Sequence, residues 1–177
     1  GGGQTILVMG GSLGSHRINK TFLAAVSGLR KEICPQVIHI AGSEDRSLLE
    51  DCYRGLGLEV KLFTFLKDMQ YAYSAADLVI CRAGATTISE LIFFSLPAIL
   101  IPYPFAYQHQ FYNARVLEEN LCACLIRDEE LTPELLTSKL GELMATPERL
   151  KAMREGYSHM QKLNANALLA GLAVDAN

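Results

Sequence analysis

Apolar residues along the chain gather in short unbroken runs at 5–9, 37–41, 60–65, 78–81, 98–101 and 122–126, rich in Val and Ile. Continuous rather than alternating apolarity marks strands covered on both faces, as in a parallel sheet sheathed by helices. Between the runs the spacing is helical over 17–30, 47–55, 69–75, 86–94, 109–120 and 133–145, and a further pair of helices, 147–160 and 164–174, follows the last run. This rhythm predicts an α/β fold: a doubly wound, Rossmann-like, mostly parallel six-stranded sheet with helices on both faces. Ligands are then expected in the loops after the strands, at their carboxyl ends. Pro97 and Pro102 bracket the fifth strand, and Pro133 and Pro147 stand at helix first turns.

Length and composition narrow this picture without naming a ligand. The 177 residues fit one domain. Half are apolar and a fifth charged, and no stretch reaches the roughly 18 uninterrupted apolar residues of a membrane span. A net charge of -3, with Lys and Arg scattered, offers no basic stripe for nucleic-acid phosphates, so nucleic acid is not expected as a partner. The five cysteines, Cys34, Cys52, Cys81, Cys122 and Cys124, form no CxxC pair and read as small core hydrophobes in a reducing compartment. No signal peptide is read at the start; Gly1 to Gln4 reads as a linker cut in mid-protein, and 161–177 as a C-terminal helix that could cap this domain or reach a missing N-terminal one.

Four loops carry candidate chemistry. Gly10-Gly11-Ser12-Leu13-Gly14-Ser15 joins the first strand to the first long helix. Glycines let backbone approach a ligand, and a helix N-terminus offers unpaired N–H groups and partial positive charge to a phosphate. The same residues also suit a plain tight turn with Ser12 or Ser15 as N-cap. The loop is not GxGxxG and lacks a P-loop lysine.

Cys81-Arg82-Ala83-Gly84-Ala85-Thr86-Thr87-Ile88-Ser89-Glu90 follows the fourth strand, where strand order would reverse. Gly84 and Ala85 leave backbone open, Thr86 and Thr87 supply hydroxyls, and Glu90 can accept hydrogen bonds from the vicinal hydroxyls of a ribose. Alternatively, Thr87 and Glu90 match the spacing of a capping box.

In the loop and helix start from Pro102 to Ala114, Gln110 and Asn113 share a helix face from which their amides could read sugar hydroxyls. The competing interpretation is a helix start with Asn113 half buried and His109 solvated. After the third strand, Phe65 could cover a base whose edge meets the backbone of Leu66, or the segment is core followed by an N-cap at Asp68. His39, inside a strand, reads as a satisfied core residue, and His16 and His159 as surface. No metal-ligand spacing, such as HExxH or a DxD-like pair, is present.

Taken in order, GGSLGS, FLKDM, CRAGATTISE, LPAILIPYP and HQFYNA resemble the C-terminal domain of the MurG family, the N-acetylglucosaminyltransferases of glycosyltransferase family 28. The resemblance spans nearly the whole chain. It implies a two-domain GT-B architecture in which this domain holds the donor UDP-N-acetylglucosamine, with no cofactor of its own. By position it implies Ser12 at the diphosphate within the phosphate loop of Gly10, Gly11 and Gly14, and the Leu66 backbone at uracil. Ala85, Thr86, Thr87, Ile88, Ser89 and Glu90 match the donor segment, with Glu90 on the ribose, and His109, Gln110 and Asn113 match residues that contact the N-acetylglucosamine.

The base, the lipid-linked acceptor site and the membrane-binding surface are expected in an N-terminal domain. The whole protein is expected at the inner face of a bacterial membrane, and the domain alone to bind donor without turnover. Another GT-B enzyme, such as a galactolipid synthase or UDP-N-acetylglucosamine 2-epimerase, and a stand-alone subunit activated by a membrane partner remain open.

Overall fold

A computed structural model of the chain describes residues 3–11, 14–30, 33, 35–105 and 109–174, with side chains through 160. Six strands, β1 Thr5–Met9, β2 Gln36–Ile40, β3 Val60–Phe63, β4 Leu78–Cys81, β5 Ala98–Leu100 and β6 Ala123–Leu125, form one sheet. Its order is β3-β2-β1-β4-β5-β6 with every pairing parallel. The helices are α1 His16–Ser27, α2 Arg46–Leu56, α3 Met69–Ala75, α4 Ala85–Phe94, α5 His109–Glu119, α6 Pro133–Met144 and α7 Pro147–Val174.

The unbroken apolar runs are explained by two cores. Along β1, Ile6 and Val8 point into one cluster with Ile18 and Phe22 of α1 and Leu136 and Leu140 of α6. Leu7 and Met9 point into the other, with Tyr73 of α3, Leu91 of α4 and Leu117 of α5. Successive side chains of a strand face opposite ways, so a strand between two helix layers must be apolar throughout.

Two expectations are corrected. The two helices expected at 147–160 and 164–174 are one, α7, because nothing around Asn164 breaks the backbone as Pro or Gly would. The C-terminal segment 161–174 therefore continues α7; residues 175–177 lie outside the described residues. Not every thiol is core: Cys81 and Cys122 are buried and Cys124 half-buried, but Cys52 is exposed on α2. Cys34 lies outside the described residues.

The order places β1 next to β4. Chain progression turns outward in opposite directions from these two strands, opening a crevice above their carboxyl ends. The loops leading into α1 and α4 form its walls.

Candidate functional site

The β1–α1 loop is shaped by what its glycines lack. Gly11 and Gly14 have φ of +98° and +82°, backbone that glycine adopts without steric cost. A Cβ on Gly14 would lie 2.2 Å from the Ala41 carbonyl oxygen, and one on Gly10 would lie 2.2 Å from the Ser15 nitrogen. The Gly14 N–H donates to the Gly11 carbonyl at 3.1 Å, closing the turn. Ser15 then caps α1, its Oγ accepting from the Ile18 N–H at 3.4 Å. Ser12 and Leu13, and with them the diphosphate contact expected of Ser12, lie outside the described residues.

Behind this loop lies a buried polar network. The Asn19 amide nitrogen donates to the Ala41 carbonyl at 2.9 Å and to Asp45 at 2.7 Å. Its amide oxygen is thereby the acceptor facing His39 Nε2 at 2.9 Å, which assigns the ring proton to Nε2. His39 Nδ1 then accepts from the Tyr53 hydroxyl at 2.8 Å. His39 is fully buried, and desolvation pushes its pKa down to about 4 despite the opposing pull of Asp45. His39 is thus the satisfied core residue expected. His16 is exposed but its Nδ1 lies 2.6 Å from Asp45, tying the first residue of α1 to the segment before α2.

The β4–α4 loop is held by side chains from elsewhere. Gln110, on α5, accepts with Oε1 from the Ala83 N–H at 3.1 Å and from the Tyr103 N–H at 3.0 Å. Asn113, one turn on, donates to the Ala83 carbonyl at 3.1 Å. These amides share a face as expected, and the partners shown are the loop backbone. The Gln110 Oε1 is committed, which fixes Nε2 as the donor it can offer to the cleft it lines. Asn113 is half-buried and His109 exposed at the start of α5.

Arg82 joins the two walls. Its guanidinium donates to Ser15 Oγ at 3.1 Å, to the Ile101 carbonyl at 3.1 Å and to Asp128 at 2.5 Å, and lies 5.4 Å from the Tyr103 ring centre. With Arg82 and the Ile18 N–H both donating to it, Ser15 Oγ keeps its own O–H to donate to an anion. The sequence motif contains Arg82 but assigns it no role. The signal for one is a single permanent charge directly after a fully buried strand, at the switch point.

Gly84, extended at φ −63° and ψ 150°, is the N-cap of α4. That removes the capping-box alternative: Thr87 and Glu90 both lie inside the helix. Gly84 has no side chain to satisfy the first-turn N–H groups, which include those of Ala85, Thr86 and Thr87. Ala85 and Thr86 are exposed and Thr87 is partly so. The Ile88 side chain is buried in the core, so any ligand contact there is through backbone, and Ser89 bonds back to the Ala85 carbonyl at 3.1 Å. Glu90, half-buried one turn beyond Thr87, accepts from the Tyr73 hydroxyl at 2.8 Å.

After β3, Leu66 packs partly against the second core cluster, while Phe65 is 67% exposed and so is not core. Asp68 is the N-cap position of α3 but makes no side-chain capping bond.

The cleft enclosed by these loops has a volume of about 470 Å³ and is lined by Gly10, Gly14, Ser15, Arg82, Gly84, Thr87 and Gln110. A larger hollow, about 550 Å³, lies between the C-terminal ends of α1 and α6, away from the carboxyl edge of the sheet. The smaller one holds the chemistry. Two helix N-termini, a guanidinium and a donating hydroxyl converge on it, an arrangement suited to a phosphate-bearing ligand. Among the described residues no group of three His, Cys, Asp or Glu could hold a metal ion.

Known proteins resemble this chain over most of its length. The chain is 42% identical over 149 residues to the UDP-N-acetylglucosamine–N-acetylmuramyl-(pentapeptide) pyrophosphoryl-undecaprenol N-acetylglucosamine transferase of Stutzerimonas stutzeri, covering 84% of this chain and 42% of that protein. It is 43% identical over 153 residues to the enzyme of the same name from Thermodesulfovibrio yellowstonii, covering 84% and 41%. The crystal structure of Acinetobacter baumannii MurG superposes with a TM-score of 0.82 at 31% identity, over 89% of this chain and 48% of that one. The chain thus spans somewhat less than half the length of these relatives. The family model for the glycosyltransferase family 28 C-terminal domain matches residues 5–169, and the chain belongs to that family.

Proposed function

We propose that this chain is the donor-binding domain of an inverting N-acetylglucosaminyltransferase. The whole protein would move N-acetylglucosamine from UDP-N-acetylglucosamine to the C4 hydroxyl of a lipid-linked N-acetylmuramyl-pentapeptide in peptidoglycan synthesis. The observation that carries this is the convergence of the α1 and α4 N-termini and Arg82 on one cleft, with Glu90 one helical turn beyond. The names of the relatives supply the sugar and the acceptor. They do not favour the epimerase, galactolipid or separate-subunit alternatives.

Each residue then has a role. UDP departs as an anion. The first-turn N–H groups of both helices, the Ser15 O–H and the Arg82 charge face the developing negative charge without having to reorganise. The Glu90 carboxylate takes the ribose hydroxyls, the Leu66 backbone the uracil edge, and Gln110 Nε2 and His109 a sugar hydroxyl. No side chain in this domain serves as nucleophile or base. The acceptor hydroxyl would be deprotonated by a second domain, whose closure excludes water from the donor. No resident cofactor is required, because the cleft itself compensates the diphosphate. Among the described residues no helix is long and apolar enough to cross a membrane. Access to a lipid-linked acceptor at the inner membrane face is assigned to the rest of the protein on the family resemblance.

Calorimetric titration tests the reading. UDP-N-acetylglucosamine and UDP are expected to bind, and Glu90→Ala to remove most of that binding while the variant still melts cooperatively, at a somewhat lower temperature because the buried Tyr73 hydroxyl loses its acceptor. Equal affinity for wild type and variant would overturn the ribose assignment.

A further inference from the structure

We infer that Tyr73 is a positioning residue of the nucleotide site: its hydroxyl orients the Glu90 carboxylate for a ribose, and the pair makes the cleft prefer ribonucleotides over 2′-deoxyribonucleotides. The inference rests on the reading of Glu90 as the ribose acceptor.

The geometry is that of a tethered acceptor. Glu90 sits on α4 one turn beyond Thr87, which lines the cleft, and its side chain has three torsions, the last of them broad and poorly defined by intrinsic preference. Left to itself the carboxylate would sample many orientations. Tyr73 comes from α3, which packs beside α4 on the same face of the sheet, and is 2% exposed. Its ring stacks on Phe94 with centroids 5.4 Å apart and planes inclined by 30°. Its oxygen also lies 3.7 Å from Met9 Sδ, at the carboxyl end of β1. The phenol is therefore held on two sides, and its one hydroxyl donates to Glu90 Oε2 at 2.8 Å.

A carboxylate offers about four acceptor positions on two oxygens. The phenol occupies one on Oε2, which sets the carboxylate plane and leaves Oε1 and the second position on Oε2 for a vicinal diol. Burial first, and the Glu90 carboxylate second, push the Tyr73 pKa up, so the phenol remains a donor and Glu90 the acceptor. An acceptor fixed in advance favours a ligand that carries the hydroxyl, because a ligand without it covers the half-buried carboxylate and leaves one of its acceptor positions unfilled. A carboxylate that swings freely can turn to water instead and discriminates less.

The test is selectivity rather than affinity. UDP and 2′-deoxy-UDP are titrated against wild type, Tyr73→Phe and Glu90→Gln. Wild type is expected to prefer UDP by about tenfold, the effect of one hydrogen bond to a charged group. Tyr73→Phe keeps the ring and the Phe94 stack; it is expected to lose most of that preference by weakening UDP while leaving 2′-deoxy-UDP within twofold. Phe94→Leu loosens the ring and keeps the hydroxyl, and should narrow the preference part-way, a second reading should Tyr73→Phe fold poorly. If Glu90→Gln abolishes the preference while Tyr73→Phe retains it, or if Tyr73→Phe weakens both nucleotides equally, Tyr73 has only a structural role and the inference is overturned with the nucleotide site intact. If wild type binds the two nucleotides equally, or Glu90→Gln leaves the preference untouched, the ribose assignment of Glu90 itself fails.

Discussion

The two loops that wall the cleft are built on opposite principles. The β1–α1 loop holds its shape because side chains are missing: Gly10 and Gly14 bring backbone where any Cβ would collide, with Ser15 and Ala41 respectively. The β4–α4 loop holds its shape because side chains arrive from elsewhere, Gln110 and Asn113 at Ala83 and Arg82 tying it to Ser15, Ile101 and Asp128. Gly84, the N-cap of α4, has open space where a methyl would go, with nothing within 4 Å among the described residues. One loop is specified sterically, the other by hydrogen bonds. A glycine is therefore indispensable in the first and, for the fold, replaceable in the second.

The largest effect expected from breaking this contrast comes from Gly14→Ala. Left-handed backbone costs an L-residue about 1–2 kcal/mol, and forcing a methyl against packed backbone about 1–3 more, so a loss of about 4 kcal/mol is expected in urea unfolding. UDP binding should fall with it. Gly84→Ala, with φ of −63° and open space, should change stability by less than about 1 kcal/mol. Similar losses in both variants would dissolve the distinction.

This contrast also explains how much can be read from the sequence. Strands 5–9 and 78–81 and helix 69–75 match the structure residue for residue, because Gly10, Asp77 and Asp68 interrupt the apolar pattern where the elements end. The strands expected to reach Ile101 and Ile126 stop short, at Leu100 and Leu125. Both isoleucines are buried and their N–H groups still reach the neighbouring strand, so apolarity tracks burial rather than ladder membership. The steric loop is legible because its glycines are local. The hydrogen-bonded loop is only half legible: Gly84 and the hydroxyls stand out in the motif, but Arg82 finds Asp128 46 residues away. Gln110 reaches Ala83 across 27 residues and Tyr73 reaches Glu90 across 17. No spacing rule encodes partners at such separations.

The next effect in size tests the second loop. Arg82→Met keeps the apolar stem and removes the charge, leaving Asp128, 15% exposed, with Arg17 at 3.5 Å as its one remaining cation among the described residues. Breaking one side of a largely buried pair costs about 3 kcal/mol. Arg82→Lys should recover roughly half, since an ammonium cannot reach Ser15, the Ile101 carbonyl and Asp128 together. Urea unfolding of the three proteins checks the order wild type, Lys, Met; a Met variant as stable as wild type would mean that the amides of Gln110 and Asn113 hold the loop unaided.

The smallest effect separates the loops by pH. The β1–α1 loop is backed by a histidine that can titrate, the β4–α4 loop by an arginine that does not. In the folded chain burial pushes the His39 pKa down to about 4, whereas unfolded it lies near 6.5. Above pH 6.5 both states hold a neutral ring and the group contributes no pH dependence. Between about 6.5 and 4 the unfolded chain binds a proton that the folded chain refuses, so stability falls as pH falls, by about 2 kcal/mol on reaching pH 5. Asp45 acts lower still: burial raises its pKa, but hydrogen bonds from Asn19 and His16 lower it more, so its contribution is lost only below about pH 4. Urea unfolding at pH 7, 6 and 5 should therefore show a decline that His39→Gln, less stable at pH 7, largely lacks. A decline of equal slope in that variant would remove His39 as its cause and leave the first loop no more sensitive to acid than the second.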